Sequence, residues 1–353
     1  MTSPPGPYGY GYAPPPPPPK PGVIPLAPLD LNHVLGGAFA AYRRHWKVLI
    51  GVTVAAYALA GVVIAGLGAA GWAALSGPWR ERADAPSTGD AELSDLTPFL
   101  LGLGGLWLAF ALGTLLATAL VHAAVAVVVQ EAVLGRRIGF GAVWHRAWSR
   151  LGAVLGTVVL SALAALVPML LLLLGFCFMV LAVLASAGPD SGEGVGPALT
   201  ALLMMFLALG TTPFVVWIWV RFSLAPTAAV AESAGVLTAM RRSAELVRGS
   251  WWRIFGYTLV MLLIVGGVSF AVQTAVSLAT QASVFAVPLA RHATPGTLFL
   301  SAATTAAVGG LLQLLTQLLL GPLQPLASGL LYVDQRIRKE NLAPVLARTT
   351  APG

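Results

Sequence analysis

Leu151 to Ala187 reads LGAVLGTVVLSALAALVPMLLLLLGFCFMVLAVLASA, with no charged side chain anywhere in it. A helix on the surface of a soluble protein must keep one polar face for water, and this segment has none. About 20 apolar residues suffice to cross the hydrocarbon of a bilayer. The segment is therefore read as a transmembrane helix, and lipid as the solvent of the fold.

Working outward, five more stretches share its character: Val48 to Leu75, Phe99 to Val129, Ala198 to Val230, Ile254 to Leu289 and Thr297 to Val333. The chain is 57% hydrophobic and 9% charged over 353 residues, against roughly 25% charged in an ordinary soluble domain. The expected fold is all-α, a polytopic transmembrane bundle of about six spans over residues 29–340. Several stretches exceed one bilayer crossing. The surplus implies tilt, interfacial ends, or breaks at Pro168, Pro213 and the pair Pro322 and Pro325.

The flanks differ in kind. Residues 1–28 hold Tyr8-Gly9-Tyr10-Gly11-Tyr12 and an unbroken proline run from Pro14 to Pro19. Such a segment reads as a disordered tail with polyproline II character, either simply solvated or a docking strip for a proline-binding partner. It lacks the apolar core of a cleavable signal, so the first span is expected to direct insertion. Residues 341–353 form a short second tail.

Charge supplies the topology. Net charge is +7, from 20 basic and 13 acidic residues, and the basic ones gather at the ends of spans, so no nucleic-acid partner is inferred. The loops holding Asp84, Asp90, Glu92 and Asp95, then Asp190 and Glu193, then Arg291, sum with their neighbours to −4, and the opposite face carries +11. Basic loops stay in the cytoplasm. Both termini are therefore expected inside, in the plasma membrane.

Three segments on that basic face look alike. Leu35 to Gly51, Phe140 to Gly156 and Met240 to Gly256 align without gaps, each leading into an odd-numbered span. Leu35, Ala38, Phe39, Tyr42 and Trp46 follow helical spacing, as do Phe140, Val143, Trp144, Ala147 and Leu151, and Met240, Ala244, Val247 and Trp251. Arginines lie beside each stripe, which is the pattern of an interfacial helix with its apolar face in the acyl boundary. Each even-numbered span exits near an acid: Glu131, Glu232 or Asp334. The expected unit is an amphipathic helix plus a hairpin, used three times.

Candidate polar sites are few. Arg221 sits within or beside the fourth span, where an ionisable group is costly and either pairs with a carboxylate or phosphate or snorkels to the interface. His122 lies at the corresponding level of the second span; packing residue and proton carrier are both open readings. Gln130, Gln273, Gln281, Gln313 and Gln317 suit bonds across helices or a polar seam, and Gly102, Gly104, Gly105, Gly152 and Gly156 suit close helix approach. Cys177 is the sole cysteine, and the five histidines are scattered, so no metal site or cofactor is expected. Phosphate-binding loops, zinc-protease motifs and nucleophile elbows are all missing from the sequence, and no enzyme is expected.

The run Arg221-Phe222-Ser223-Leu224-Ala225-Pro226, then Glu232, then Ala239-Met240-Arg241-Arg242-Ser243 through Val247-Arg248-Gly249-Ser250-Trp251-Trp252-Arg253, resembles the membrane domain of glycerophosphoryl diester phosphodiesterases and of stand-alone actinobacterial membrane proteins. The tail Leu331 to Glu340 is similar to that family's ending, and Pro25 to Gly36 to its start. The resemblance implies a helical, non-catalytic plasma-membrane domain, since the family's phosphodiesterase chemistry belongs to a separate barrel with its own metal ligands. No site residue follows from it.

The sequence thus leads to a non-catalytic membrane protein, a scaffold or accessory module engaging anionic lipid through basic interfacial helices. Arg241, Arg242 and Arg248, with Arg221, His122 and Glu232, are its candidate lipid or polar site. A transporter or channel with a polar site near Arg221 is the alternative, and an enzyme of lipid metabolism a distant third.

Overall fold

The computed structural model describes residues 22–25, 27–83, 97–186, 195–289 and 295–342. Among them the chain is all-α, with ten helices and no strand. These are α1 (Leu31–Ala83), α2 (Thr97–Val133), α3 (Phe140–Ser149), α4 (Leu151–Ser186), α5 (Val195–Phe222), α6 (Ala225–Ala231), α7 (Val236–Val247), α8 (Trp251–Leu289), α9 (Pro295–Leu320) and α10 (Leu323–Glu340). Six segments are long and apolar enough to cross a membrane: Leu31–Ala74, Leu100–Val133, Leu151–Leu181, Leu202–Ala231, Trp251–Ala279 and Ala303–Glu340. The protein is a multi-pass membrane protein. The acidic loop residues Asp84 to Asp95, Asp190 and Glu193, with Arg291, lie outside the described residues, as do residues 1–21 and 343–353.

The threefold pattern is visible in the backbone. A helix lying at the interface and a span crossing the bilayer have different axes, so the chain must leave helical geometry where they meet. It does so at His45 inside α1 (φ −119°, ψ 17°), at Arg150 between α3 and α4 (φ −109°, ψ 1°) and at Ser250 between α7 and α8. These three residues occupy one column of the gapless alignment, and Trp46, Leu151 and Trp251 open the spans in the next. Two further columns are buried in all three units: Ala38, Val143 and Ser243, then Leu49, Val154 and Ile254. Gly249 ends α7 in left-handed geometry (φ +81°), a conformation costly to side chains with a Cβ.

Each odd span pairs with the even span that follows: α1 with α2, α4 with α5, α8 with α9. The core is built from the basic-face ends of the even spans. In α2 it runs from Ala117 to Val133; α6 and α10 supply Leu224 to Val230 and Leu323 to Ile337. Alanine and glycine let these ends meet closely; a Cβ on Gly329 would lie 2.9 Å from Val129 Cγ2. The second even span packs next to the third unit through α6 on α7, and α10 packs on α1, so the three units form a ring around the core. Towards the opposite face the described parts of the spans are largely exposed. Leu100 to Leu112 of α2, Leu163 to Leu174 of α4 and Leu262 to Leu278 of α8 present most of their large side chains to the surroundings.

Several expectations are corrected here. The backbone stays helical through Pro168 and Pro213. The expected break at Pro322 is present, at Gly321–Pro322, and a further one falls at Ser223–Leu224; Pro226 and Pro322 stand in or beside the first turn of a new helix and remove no helical bond. Gly156 does make a close approach, its missing Cβ facing Val236 at 2.5 Å, but Gly104, Gly105 and Gly152 meet nothing. Nor does each amphipathic helix turn one uniform face to lipid. Val34, Ala38 and Ala41, Val143 and Ala147, and Ala239, Ser243 and Val247 are buried in protein, whereas Phe39, Trp46, Phe140 and Trp148 remain exposed. Small residues are the ones that can approach the core ends, so the stripe divides by size.

Candidate functional site at the basic face

The three exit acids are used as pairing points. In the first unit Glu131 accepts from Arg146 of α3 at 2.9 Å. In the second, Glu232 accepts from Arg242 Nε of α7 at 2.8 Å and from the Tyr332 hydroxyl of α10 at 2.7 Å. Arg242 also bonds Glu340, which Arg336 binds at 2.8 Å. Burial works against the Arg242 charge, but its bonds to Glu232 and Glu340 outweigh that and raise its pKa above the ordinary value.

In the third unit Asp334 is wholly buried. It accepts from Arg338 Nε at 3.0 Å and contacts Arg253 at 2.9 Å. It also accepts the backbone N–H of Leu29 at 2.8 Å. The Leu29 carbonyl in turn accepts from Arg338 at 2.9 Å and from Arg253. The acid of the last unit therefore grips the segment that leads into the first. Val23 and Ile24, in the stretch read as a tail, also lie on the bundle: Val23 N–H donates to Ala132 O at 3.2 Å, and Ile24 is buried.

Besides Arg44, Arg150 and Lys339, which donate to backbone carbonyls, two sets of basic residues stand out. Arg146, Arg242, Arg253 and Arg338 hold the units together, and Arg336 braces Glu340 within α10. Arg43, Lys47, Arg136, Arg137, Arg241 and Arg248 are exposed at the same end of the bundle, and among the described residues none of them pairs with a carboxylate. Of the sequence candidates, Arg241 and Arg248 belong to the free set and Arg242 to the paired one.

Arg221 is half-buried at the end of α5. Its guanidinium lies over the Trp217 ring, 4.9 Å from the centroid, and its carbonyl accepts from Ser243 Oγ of α7 at 2.8 Å. Among the described residues no carboxylate reaches it. Trp217, Trp251, Trp252 and Phe255 form an aromatic belt beside it. His122 is half-buried in α2 and no hydrogen bond joins it to Arg221. Among the described residues the candidate glutamines make no side-chain hydrogen bond across helices; Gln130 Nε2 and Gln313 Oε1 are buried without a partner. Among the described residues no three His, Cys, Asp or Glu side chains are grouped to hold a metal ion.

Sequence reasoning found the acids but used them only as markers of the repeat. It missed Asp334 with Arg253 and Arg338 as a clasp on Leu29, because nothing local signals a partner 305 residues away. Compared with protein-family models, curated proteins and solved structures, the chain matches none.

Proposed function

We propose that the protein is a non-catalytic accessory or scaffold module of the plasma membrane, related to the membrane domain found beside glycerophosphoryl diester phosphodiesterases, which gathers anionic lipid at its cytoplasmic rim. The observation that carries this reading is the division of the arginines. Carboxylates neutralise the inner set, while the exposed set sits unpaired on the rim, where Lys47 lies 5.7 Å from the centre of the exposed Trp46 ring. Cations beside aromatics at this level suit a phosphate-bearing surface, each basic side chain adding about 1 kcal/mol of attraction to anionic lipid. Transport through Arg221 draws no comparable support, because its guanidinium is stacked on Trp217 beside a core of Ala, Val and Leu.

The test is the lipid content of the protein purified in mild detergent. Arg241→Gln with Arg248→Gln should lower the ratio of phosphatidylglycerol to phosphatidylcholine retained, with melting temperature unchanged. An unaltered ratio in a folded double variant overturns the proposal.

A further inference from the structure

Two hollows lie along α1, one polar and one apolar. The first is an open concavity of about 460 Å³ bounded by Gly36, Ala40 and the side chains of Phe39, Arg43 and Arg44. The second, of about 310 Å³, lies between Ala55 and Leu59 of α1 and Trp144, His145 and Trp148 of α3. Both open on the side of α1 that meets the turn after α2 and the start of α3: Arg44 reaches Gly135 and Gly51 faces the Phe140 ring.

The apolar hollow has a rigid wall. Phe140, Trp144 and Trp148 stack in a ladder with centroids 6.0 and 5.9 Å apart and planes tilted by only 14° and 25°. Phe140 fixes the ladder to α1 by resting on Gly51, where a Cβ would lie 3.3 Å from its ring. The polar hollow is also anchored. Arg44 donates to the Gly135 carbonyl in the turn after α2, leaving Arg43 and, one turn on, Lys47 without carboxylate partners.

The separation of the two hollows suits one molecule. Arg44 and Ala55 are eleven residues apart, at most about 17 Å along the axis of a straight helix at 1.5 Å per residue, and the bend at His45 brings them closer. The headgroup layer is only about 5–7 Å deep and each hydrocarbon leaflet about 15 Å. With Arg43 and Arg44 at phosphate level, Ala55 and Leu59 lie well inside the acyl region.

We infer that this side of α1, with the aromatic ladder of α3, binds a single anionic phospholipid. Its phosphate lies in the Arg43–Arg44 concavity and one acyl chain against the Trp144 and Trp148 rings. The inference rests on the reading that the rim engages anionic lipid, and turns a diffuse attraction into a defined site. A soluble phosphate shares the headgroup chemistry but has nothing to place in the apolar hollow.

The full chain in mild detergent, titrated with phosphatidylglycerol and followed by native mass spectrometry, tests it. Arg43→Gln should weaken the tightest-bound phosphatidylglycerol about fivefold and leave phosphatidylcholine unchanged, with Arg43→Lys restoring the parent affinity. Trp144→Leu with Trp148→Leu should weaken both lipids, and glycerol 1-phosphate should not compete. Parent-like affinity in Arg43→Gln, or displacement of the lipid by glycerol 1-phosphate, overturns the site. Should the double tryptophan variant fail to fold, Arg43→Gln and its lysine rescue decide alone. If Arg241→Gln/Arg248→Gln lowers phosphatidylglycerol while Arg43→Gln does not, the rim reading stands and this site falls. If neither has an effect, both fall.

Discussion

Replacing Asp334 by Asn keeps the shape of the side chain and removes its charge. In the native protein that carboxylate is wholly buried, faces Arg253 and Arg338 at 2.9 and 3.0 Å, and accepts the Leu29 N–H at 2.8 Å. An amide retains one acceptor oxygen, enough for Leu29, but turns an NH₂ group towards guanidinium donors. Removing one partner of a fully buried ion pair costs about 3–5 kcal/mol. Here the two arginines are 26% and 34% exposed, so water takes up part of their lost pairing and the expected cost falls to about 2–3 kcal/mol. For a bundle of this size that corresponds to a drop of roughly 4–10 °C in melting temperature, read from tryptophan fluorescence during heating in mild detergent. Glu131→Gln is the control: its partner Arg146 is 50% exposed, so the loss should stay below about 1 kcal/mol. Asp334→Asn and Glu131→Gln melting at the same temperature would refute the claim that burial separates these two pairs.

Two backbone positions give further expectations. Gly249→Val forces a branched side chain into a φ of +81° and should cost about 1–2 kcal/mol, seen as a lowered melting temperature that Gly249→Asn largely avoids. Gly329→Val drives a Cβ to 2.9 Å from Val129 and should cost about 1–3 kcal/mol through overpacking; Gly256→Ala, which meets nothing within 4 Å, should leave the melting curve unchanged or raise it.

The spans were legible because apolar runs bounded by charge are a property of sequence alone, and Leu151 to Ala187 sufficed to fix the solvent. The unit was legible too, from the gapless alignment of Leu35 to Gly51, Phe140 to Gly156 and Met240 to Gly256. Breaks were harder. Pro213 lies inside α5 without ending it, whereas Pro226 starts a new helix, and composition around the two prolines gives little to separate them. Charge misled in one respect. Counted for topology, Arg242 and Arg248 look equivalent. Only the fold brings Glu232 and Glu340 to the first and leaves the second in solvent.

The grip of Asp334 on Leu29 also sets an order of events in biosynthesis. Leu29 leaves the ribosome at the start of the first unit, and its partner is made 305 residues later. Until then the Leu29 N–H has only water and headgroups to bond, and its carbonyl gains Arg253 as a partner only 224 residues on. Hairpins one and two can insert and pair with each other, but the circle they begin stays open on one side. A long chain-closing contact is slow to find and contributes nothing until found. The emerging protein is therefore expected to wait in the membrane as an incomplete arc, most accessible to proteases and insertion chaperones, and to lock only when the sixth span arrives.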